Sequence, residues 1–249
     1  AQVIRFQTTQ GHEVTSRISL TAWATATALA ISFVAATAQA QVAPSAAEAA
    51  RYTGLHAAAH NGDLPLLKKL LTTGAPVNAR DPQGRTAVHV ATFARQPDVL
   101  RALAQAGANL ELLENDRYDA VTVAAVADDE STLRVLLSLG ASAKLTTSRY
   151  DGTALIAAAH LGHDGVVRQL IAAGAPLDHV NNLQWTALIE AIVLGNGGTR
   201  HQAVLQALLD AGASTRLTDR EGNTPLALAQ ARGYAAMTVM LKKVSAKSG

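Results

Sequence analysis

The sequence contains no cysteine among its 249 residues, which excludes a disulfide framework, a cysteine-ligated zinc site and a cysteine nucleophile. Aromatic residues are also scarce, at 4%, and charged residues make up only 16%, against about a quarter in a typical domain. Hydrophobic residues, many of them alanine, account for 49% of the chain. This length and composition suit a folded core and are not typical of a disordered protein.

A long segment without charge lies near the N-terminus. Residues 18–38 follow Arg17, contain no charged side chain and lead into Ala38-Gln39-Ala40. A basic residue, an apolar helix and an Ala-x-Ala site are typical of a secretory signal peptide. We therefore predict a signal peptide over residues 1–40, with an upstream extension at its start and cleavage after Ala40. The alternatives are a membrane anchor over residues 18–38 and a soluble N-terminal helix.

Signal cleavage predicts a periplasmic or secreted protein that has no membrane segment of its own. The whole chain has a formal net charge of +2; without Arg5, Arg17 and Glu13 it has 19 basic and 18 acidic residues. A net charge of +1 with no basic cluster excludes electrostatic binding to a nucleic-acid backbone. Residues 41–50 form an alanine-rich lead-in to the rest of the chain.

The remainder of the chain is an internal repeat. Segments of the type Thr-x-Leu-x-x-Ala recur about every 33 residues, and a Gly-Ala pair follows each of the first five, at a constant offset in the first four and five residues later in the fifth. A repeat of this length is typical of a stack of small helical units that share one core. The segments begin at Thr53, Thr86, Asp119, Thr153, Thr186 and Thr224, and the Gly-Ala pairs begin at Gly74, Gly107, Gly140, Gly174 and Gly212.

This pattern resembles the ankyrin repeat, in which a Thr-Pro-Leu-His-x-Ala first helix is followed by a second helix and a Gly-Ala turn. The best matches are Thr53-Gly54-Leu55-His56, the segment from Asp81 to His89 that ends in Thr86-Ala87-Val88-His89, and the segment from Asp219 to Leu226 that ends in Thr224-Pro225-Leu226. The resemblance implies an all-α solenoid of about six helix-turn-helix repeats with β-turn fingers, and a protein of the secreted or periplasmic bacterial type. We predict a repeat domain over residues 51–243, divided at 51–80, 81–113, 114–145, 146–180, 181–217 and 218–243, and a C-terminal tail over 244–249.

Two repeats depart from the pattern. The third carries Asp128, Asp129 and Glu130 between its helices; acidic residues favour a helix N-terminus, so we interpret them as structural, with an acidic contact patch as the alternative. The fifth carries five extra residues around 195–201, where three glycines indicate a mobile loop. No Lys-Ser/Thr follows these glycines, so they do not form a phosphate-binding loop. The insertion is either tolerated or contacts a partner through Arg200.

The histidines do not form a catalytic or metal motif. His56 and His60 share one helical face without the glutamate of a zinc protease. In ankyrin repeats the motif histidine, here His56 and His89, orders the turns through hydrogen bonds, so we predict a structural role. His160 and His163 would bind a metal only with further ligands. We predict no cofactor and no enzymatic activity.

The resemblance also implies a binding surface. Ankyrin repeats present variable residues just before the motif threonine and near the end of the first helix, along a concave face. Aromatic residues are concentrated there, and aromatics often dominate the energy of protein interfaces. The alternative is that they only pack finger against finger. The predicted partner-binding residues are Tyr52, Phe93, Tyr118, Tyr150, His160, Trp185 and Arg200.

We therefore predict a monomeric, non-catalytic module that binds an unidentified protein partner. The family resemblance also suggests a role in periplasmic peroxide defence, since some such proteins are associated with catalase. Two further hypotheses are an immunity-like inhibitor of an enzyme or toxin, and an effector delivered to host cells.

Overall fold

Residues 43–245 are described by the computed structural model of the chain, and the predicted signal peptide and its cleavage site lie outside them. A four-residue helix, Ala46–Ala49, precedes six helix pairs, which we number as repeats 1 to 6. The pairs are Gly54–Asn61 with Leu64–Thr72, Ala87–Phe93 with Pro97–Gln105, Ala120–Val126 with Glu130–Ser138, Ala154–Leu161 with Asp164–Ala172, Ala187–Val193 with Thr199–Asp210, and Pro225–Ala231 with Ala235–Ser245.

The first helices begin where the sequence predicts, at the motif threonine or its replacement. The Thr153 and Thr186 hydroxyls accept the N–H groups of Ile156 and Ile189, each at 3.3 Å. Asp119 replaces threonine in repeat 3, and its carboxylate accepts the Thr122 N–H at 2.9 Å. These side chains satisfy a backbone donor that the helix leaves without a partner. Asp119 is therefore the N-cap of the first helix of repeat 3.

The second helices of repeats 1 to 5 end two residues before the glycine of the Gly-Ala pair. Gly74 and the four equivalent glycines all have positive φ, between 78° and 92°. Any residue with a side chain would be strained in this left-handed conformation, and glycine is not. All five glycines therefore supply the left-handed residue that follows the end of the helix.

The helices form two layers. Each first helix packs against the first helices of the neighbouring repeats, and each second helix packs against its neighbouring second helices. The alanine five residues after each motif position is almost fully buried between first helices, as at Ala58, Ala91 and Ala191. Larger residues fill the space between the layers, as Leu103 and Leu136 do. Close stacking of first helices explains why the chain is rich in alanine.

Fingers connect the repeats and carry almost no regular structure. Within residues 43–245 there is no β-strand, and Thr147 and Gly152 form an isolated antiparallel bridge in the finger of repeat 4. The helices of that range are all too short or too polar to cross a bilayer. The architecture is the predicted all-α solenoid.

The insertion in repeat 5 differs from the mobile loop that its glycines indicate. Thr199, Arg200 and His201 form the first turn of a second helix, Thr199–Asp210, that has 12 residues where repeats 1 to 4 have nine. The preceding turn is tied to the core because the Tyr234 hydroxyl donates to the Gly195 carbonyl at 2.8 Å. Sequence reasoning missed this contact because Tyr234 belongs to the following repeat.

Candidate partner-binding face

A single side-chain oxygen organises the finger turns of repeats 2, 5 and 6, from Asp81, Asn181 and Asp219 respectively. In repeat 2, Asp81 Oδ1 accepts the N–H groups of Gln83 and Arg85, at 2.9 and 2.8 Å. In repeat 5, Asn181 Oδ1 accepts the N–H of Trp185 at 3.0 Å in the same way. These bonds fix the backbone of the residue just before the motif threonine. The predicted contact positions on the fingers therefore stand on a rigid frame.

The two motif histidines join the fingers of repeats 2 and 3 to the preceding repeat. His56 Nε2 donates to the Arg85 carbonyl at 2.9 Å, and His89 Nε2 donates to the Tyr118 carbonyl at 3.1 Å. His89 Nδ1 accepts the Thr86 N–H at 3.1 Å, so both of its ring nitrogens are occupied. Burial lowers the pKa of His89 to about 4 and keeps the ring neutral. The predicted hydrogen bonds of His56 and His89 are confirmed.

We call the surface formed by the finger residues before each motif position and the C-terminal ends of the first helices the candidate face. Two of its predicted aromatics are held within the protein. The Tyr118 side chain is 8% exposed, which favours packing over partner contact at this position. Tyr52 is half-buried; its hydroxyl donates to Asp81 Oδ2 at 3.1 Å and accepts from Arg85 at 3.3 Å.

Three further aromatics remain half-buried on the candidate face: Phe93, Tyr150 and Trp185. The guanidinium of Arg85 lies over the Phe93 ring, 5.9 Å from its centroid. The Tyr150 carbonyl accepts the Asn182 N–H at 3.0 Å, so the fingers of repeats 4 and 5 are joined there. Each of the three residues is partly exposed, and these positions suit contact with a partner.

His160 lies beside a buried carboxyl group that the sequence did not single out. Glu190, on the first helix of repeat 5, has a side chain only 7% exposed, and its Oε2 lies 3.6 Å from His160 Nδ1. Asn181 Nδ2 donates to Glu190 Oε1 at 2.8 Å. Burial raises the pKa of Glu190 to about 8, although the Asn181 hydrogen bond acts against this rise. Burial, together with His201 and His163, lowers the pKa of His160.

A sequence signal for Glu190 exists. The position four residues after the motif threonine holds Ala57, Val90, Val123, Ala157 and Leu228 in the other repeats, and repeat 5 alone has a charged residue there. The same repeat has Asn181 where repeat 2 has Asp81. A second carboxylate at Asn181 would repel Glu190, whereas the amide donates to it. The pair becomes visible only when the finger and the first helix are brought together.

The histidine and acidic side chains do not assemble into a metal centre in residues 43–245, where no group of three or more has the required placement. His163 Nδ1, predicted as a ligand only with further partners, donates instead to the Ala125 carbonyl at 2.9 Å. This bond joins the inter-helix turn of repeat 4 to repeat 3.

Arg200 connects three repeats. Its guanidinium contacts Asp128 Oδ2 of repeat 3 at 2.8 Å and Asp164 Oδ1 of repeat 4 at 3.3 Å. Burial acts to raise the pKa of Asp164, but hydrogen bonds from Arg168 and Arg200 lower it overall. Asp129, next to Asp128, caps the second helix of repeat 3 and accepts the Thr132 N–H at 3.0 Å. The acidic residues of repeat 3 therefore serve internal contacts, and Arg200 is still half-exposed.

The sequence profile for ankyrin repeats in three copies matches residues 36–118, 55–147 and 121–219. These overlapping matches cover most of the chain. The chain belongs to the ankyrin repeat family. Ankyrin repeat domains bind protein partners and are generally non-catalytic.

Relatives support this assignment at different levels. The ankyrin repeat protein YahD of Escherichia coli K12 is 42% identical over 95 residues, which are 38% of this chain and 47% of YahD. The chain thus matches about half the length of that relative. An ankyrin repeat domain of Acinetobacter baumannii AYE is 43% identical, with a TM-score of 0.73, and the match covers 77% of this chain and 97% of that domain.

A third likeness concerns the fold alone. A chain in the complex of the predatory endopeptidase Bd0816 of Bdellovibrio bacteriovorus with the immunity protein Bd3460 is 24% identical, with a TM-score of 0.64. The match covers 77% of this chain and 98% of that chain.

Proposed function

We propose that this protein is a non-catalytic binding module that recognises a folded protein partner through the candidate face. Recognition is non-covalent and depends on the shape of first-helix ends and fingers that are already in place before binding. Preorganisation of this kind lowers the entropic cost of association.

One observation carries the proposal: a solvent-exposed leucine and half-buried rings share the candidate face with a rigid hydrogen-bonded frame. Leu161, at the end of a first helix, is 41% exposed and adjoins His160. Phe93, at the end of the first helix of repeat 2, and Trp185, just before the motif threonine of repeat 5, are half-buried on the same face. Apolar side chains kept partly in water on a rigid surface are typical of interface centres.

A binding role also agrees with the state of the polar groups. The histidines most deeply placed in the structure serve as hydrogen-bond links between repeats, as His89 and His201 do. Their ring nitrogens are occupied by backbone and side-chain partners and are not free to act on a substrate.

We further propose that binding takes place in the periplasm or outside the cell, following the predicted signal peptide. The peroxide-defence role, the immunity-like inhibitor and the host effector remain hypotheses, and they predict different partners. A periplasmic oxidoreductase, a secreted hydrolase and a host protein would support them respectively.

Site-specific photocrosslinking in living cells tests the proposal. A photoreactive phenylalanine analogue replaces Leu161 on the candidate face or, as a matched control, Leu66 on a second helix, which is 39% exposed. We expect one discrete crosslinked protein from position 161 and none from position 66. Equal crosslinking from both positions, or none from position 161 in cells that secrete the folded protein, would contradict the proposal.

A further inference from the structure

The segment that precedes repeat 1 is ordered by its own short-range contacts. Ser45 and Glu48 form a reciprocal capping box: the Ser45 N–H donates to Glu48 Oε2 at 2.8 Å, and the Glu48 N–H donates to Ser45 Oγ at 3.2 Å. This pair begins the helix Ala46–Ala49. We call residues 43–50 the strap.

The strap reaches past repeat 1 to the candidate face of repeat 2. Glu48 Oε1 lies 3.5 Å from a guanidinium nitrogen of Arg85, the residue before the motif threonine of repeat 2. Arg85 also donates to the Tyr52 hydroxyl at 3.3 Å and lies over the Phe93 ring. The strap is therefore linked, through one buried arginine, to two of the predicted partner-binding residues.

The start of the strap borders a cavity on the same face. Ala43 lines a space of about 340 Å³ between the strap and the first-helix ends of repeats 2 and 3. Its other walls are mostly apolar and include two positions of the candidate face, Phe93 and Val126. The remaining lining residues are Thr92, Arg95, Val123 and Ala127.

Few contacts hold the strap in place. Its helix contains no buried residue, and Ala43, Ser45 and Ala46 are exposed. The Glu48 side chain is 30% exposed, so its ion pair with Arg85 is partly screened by water. Segments with little buried apolar surface open at low free-energy cost. The strap is thus ordered enough to cover the face and weakly enough held to leave it.

We propose that the strap occupies the candidate face of repeats 2 and 3 in cis, and that a partner must displace it to bind there. This inference rests on the proposed function, because it assigns the strap to the same face. The apparent affinity for the partner then equals the affinity of the open molecule multiplied by the fraction of molecules in which the strap is open. Sequence alone shows only an alanine-rich lead-in at these residues.

Thiol labelling tests the strap without any partner. The chain has no cysteine, so a single substitution gives a unique reactive group. Val126→Cys places a thiol in the cavity beneath the strap, and Val193→Cys places one at the equivalent position of repeat 5. Labelling by Ellman's reagent is measured in a chain of residues 41–249, whose described part, residues 43–245, lies within one compact unit. Each thiol is combined with Glu48→Lys, which repels Arg85 and removes the capping box.

We expect Glu48→Lys to raise the labelling rate of Val126→Cys about fivefold, as for a strap closed most of the time, and to leave Val193→Cys unchanged. Glu221→Lys, an exposed charge reversal in repeat 6, is the matched control and changes neither rate. A chain that starts at Arg51 must give the same increase at position 126.

Two outcomes overturn the inference. If the rate at position 126 does not change while the thermal midpoint falls, the segment is only a stabilising cap. If both thiols become faster together, the substitution loosens the whole array. Neither outcome bears on whether the candidate face binds a protein, which the photocrosslinking at Leu161 decides separately.

Discussion

Repeats 2 and 5 each bury a polar side chain in the first helix, at positions one residue apart. The two side chains make stability depend on pH in opposite directions. Repeat 2 buries His89, whose ring nitrogens both have hydrogen-bond partners, and follows it with Val90. Repeat 5 has Ile189 at the histidine position and buries Glu190 next to it. His89 has a hydrogen-bond partner at each ring nitrogen, whereas Glu190 has a single close donor, Asn181. The repeat pattern therefore determines the backbone structure, but it does not determine at which position a polar side chain is buried.

The two groups also make stability depend on pH in opposite directions. The pKa of His89 falls on folding from 6.5 to about 4, so its contribution is present above pH 6.5 and is lost as the pH falls towards 4. The pKa of Glu190 rises on folding from 4.5 to about 8, so its contribution is present below pH 4.5 and is lost as the pH rises towards 8. Acid therefore weakens repeat 2, and base weakens repeat 5.

The largest effect on stability is expected from replacing His89 of repeat 2 with isoleucine, the residue at the same position of repeat 5. His89→Ile leaves the Thr86 N–H without its partner inside the protein. It also removes one of the two hydrogen bonds that the Tyr118 carbonyl accepts; the other, from the Glu114 N–H, remains. An unpaired buried donor costs about 1–3 kcal/mol and a lost hydrogen bond about 1 kcal/mol, so we expect the free energy of unfolding to fall by about 3 kcal/mol in urea titrations.

Ile189→Val is the control for volume loss at the matching position, with an expected cost of about 1 kcal/mol. If the two substitutions lower the free energy of unfolding equally, the hydrogen bonds of His89 contribute nothing to stability beyond its packing.

An intermediate effect is expected from removing the charge of repeat 5. Glu190→Gln cannot ionise, and it keeps a carbonyl that accepts from Asn181. Relative to the parent protein, we expect its free energy of unfolding to rise by about 2 kcal/mol between pH 5.5 and 7.5. One proton allows at most about 1.4 kcal/mol per pH unit. Urea titrations at the two pH values measure this difference, and a pH-independent difference would refute the account of Glu190.

The smallest effect on stability is expected from removing ion pairs on the protein surface. Arg200→Ala in repeat 5 removes two ion pairs that join repeats 3, 4 and 5, and Arg101→Ala in repeat 2 removes one local pair with Asp98. Arg200 is half-exposed, so solvent screens its contacts. We expect losses of about 1 kcal/mol for Arg200→Ala and below about 0.5 kcal/mol for Arg101→Ala.

Raising the salt concentration sharpens this prediction. Screening should reduce the cost of Arg200→Ala while leaving that of His89→Ile unchanged, because hydrogen bonds to a neutral ring are not screened in this way. If Arg200→Ala and Arg101→Ala lower the free energy of unfolding equally at low salt, the insertion in repeat 5 does not stabilise its packing against repeats 3 and 4.

Local sequence determined much of the fold in advance. The caps at Asp119 and Gly74 follow from residue chemistry within one turn of helix, and six phased copies identify the solenoid. The contacts of Arg200 with Asp128, 72 positions away, depend on how three repeats stack. Burial of Tyr118 and the pairing of Glu190 with His160 likewise depend on neighbouring repeats. Periodicity shows that repeats stack, but it does not show which side chains meet across them.

The central claim is that the candidate face, and not the layer of second helices, binds the partner. Calorimetric titration of the crosslinked partner against Leu161→Asp and Leu66→Asp tests it most directly, because the two leucines are almost equally exposed, at 41% and 39%. We predict that Leu161→Asp raises the dissociation constant about tenfold or more, and that Leu66→Asp changes it by less than about twofold. Equal effects of the two substitutions, or a larger effect at Leu66, would contradict the claim.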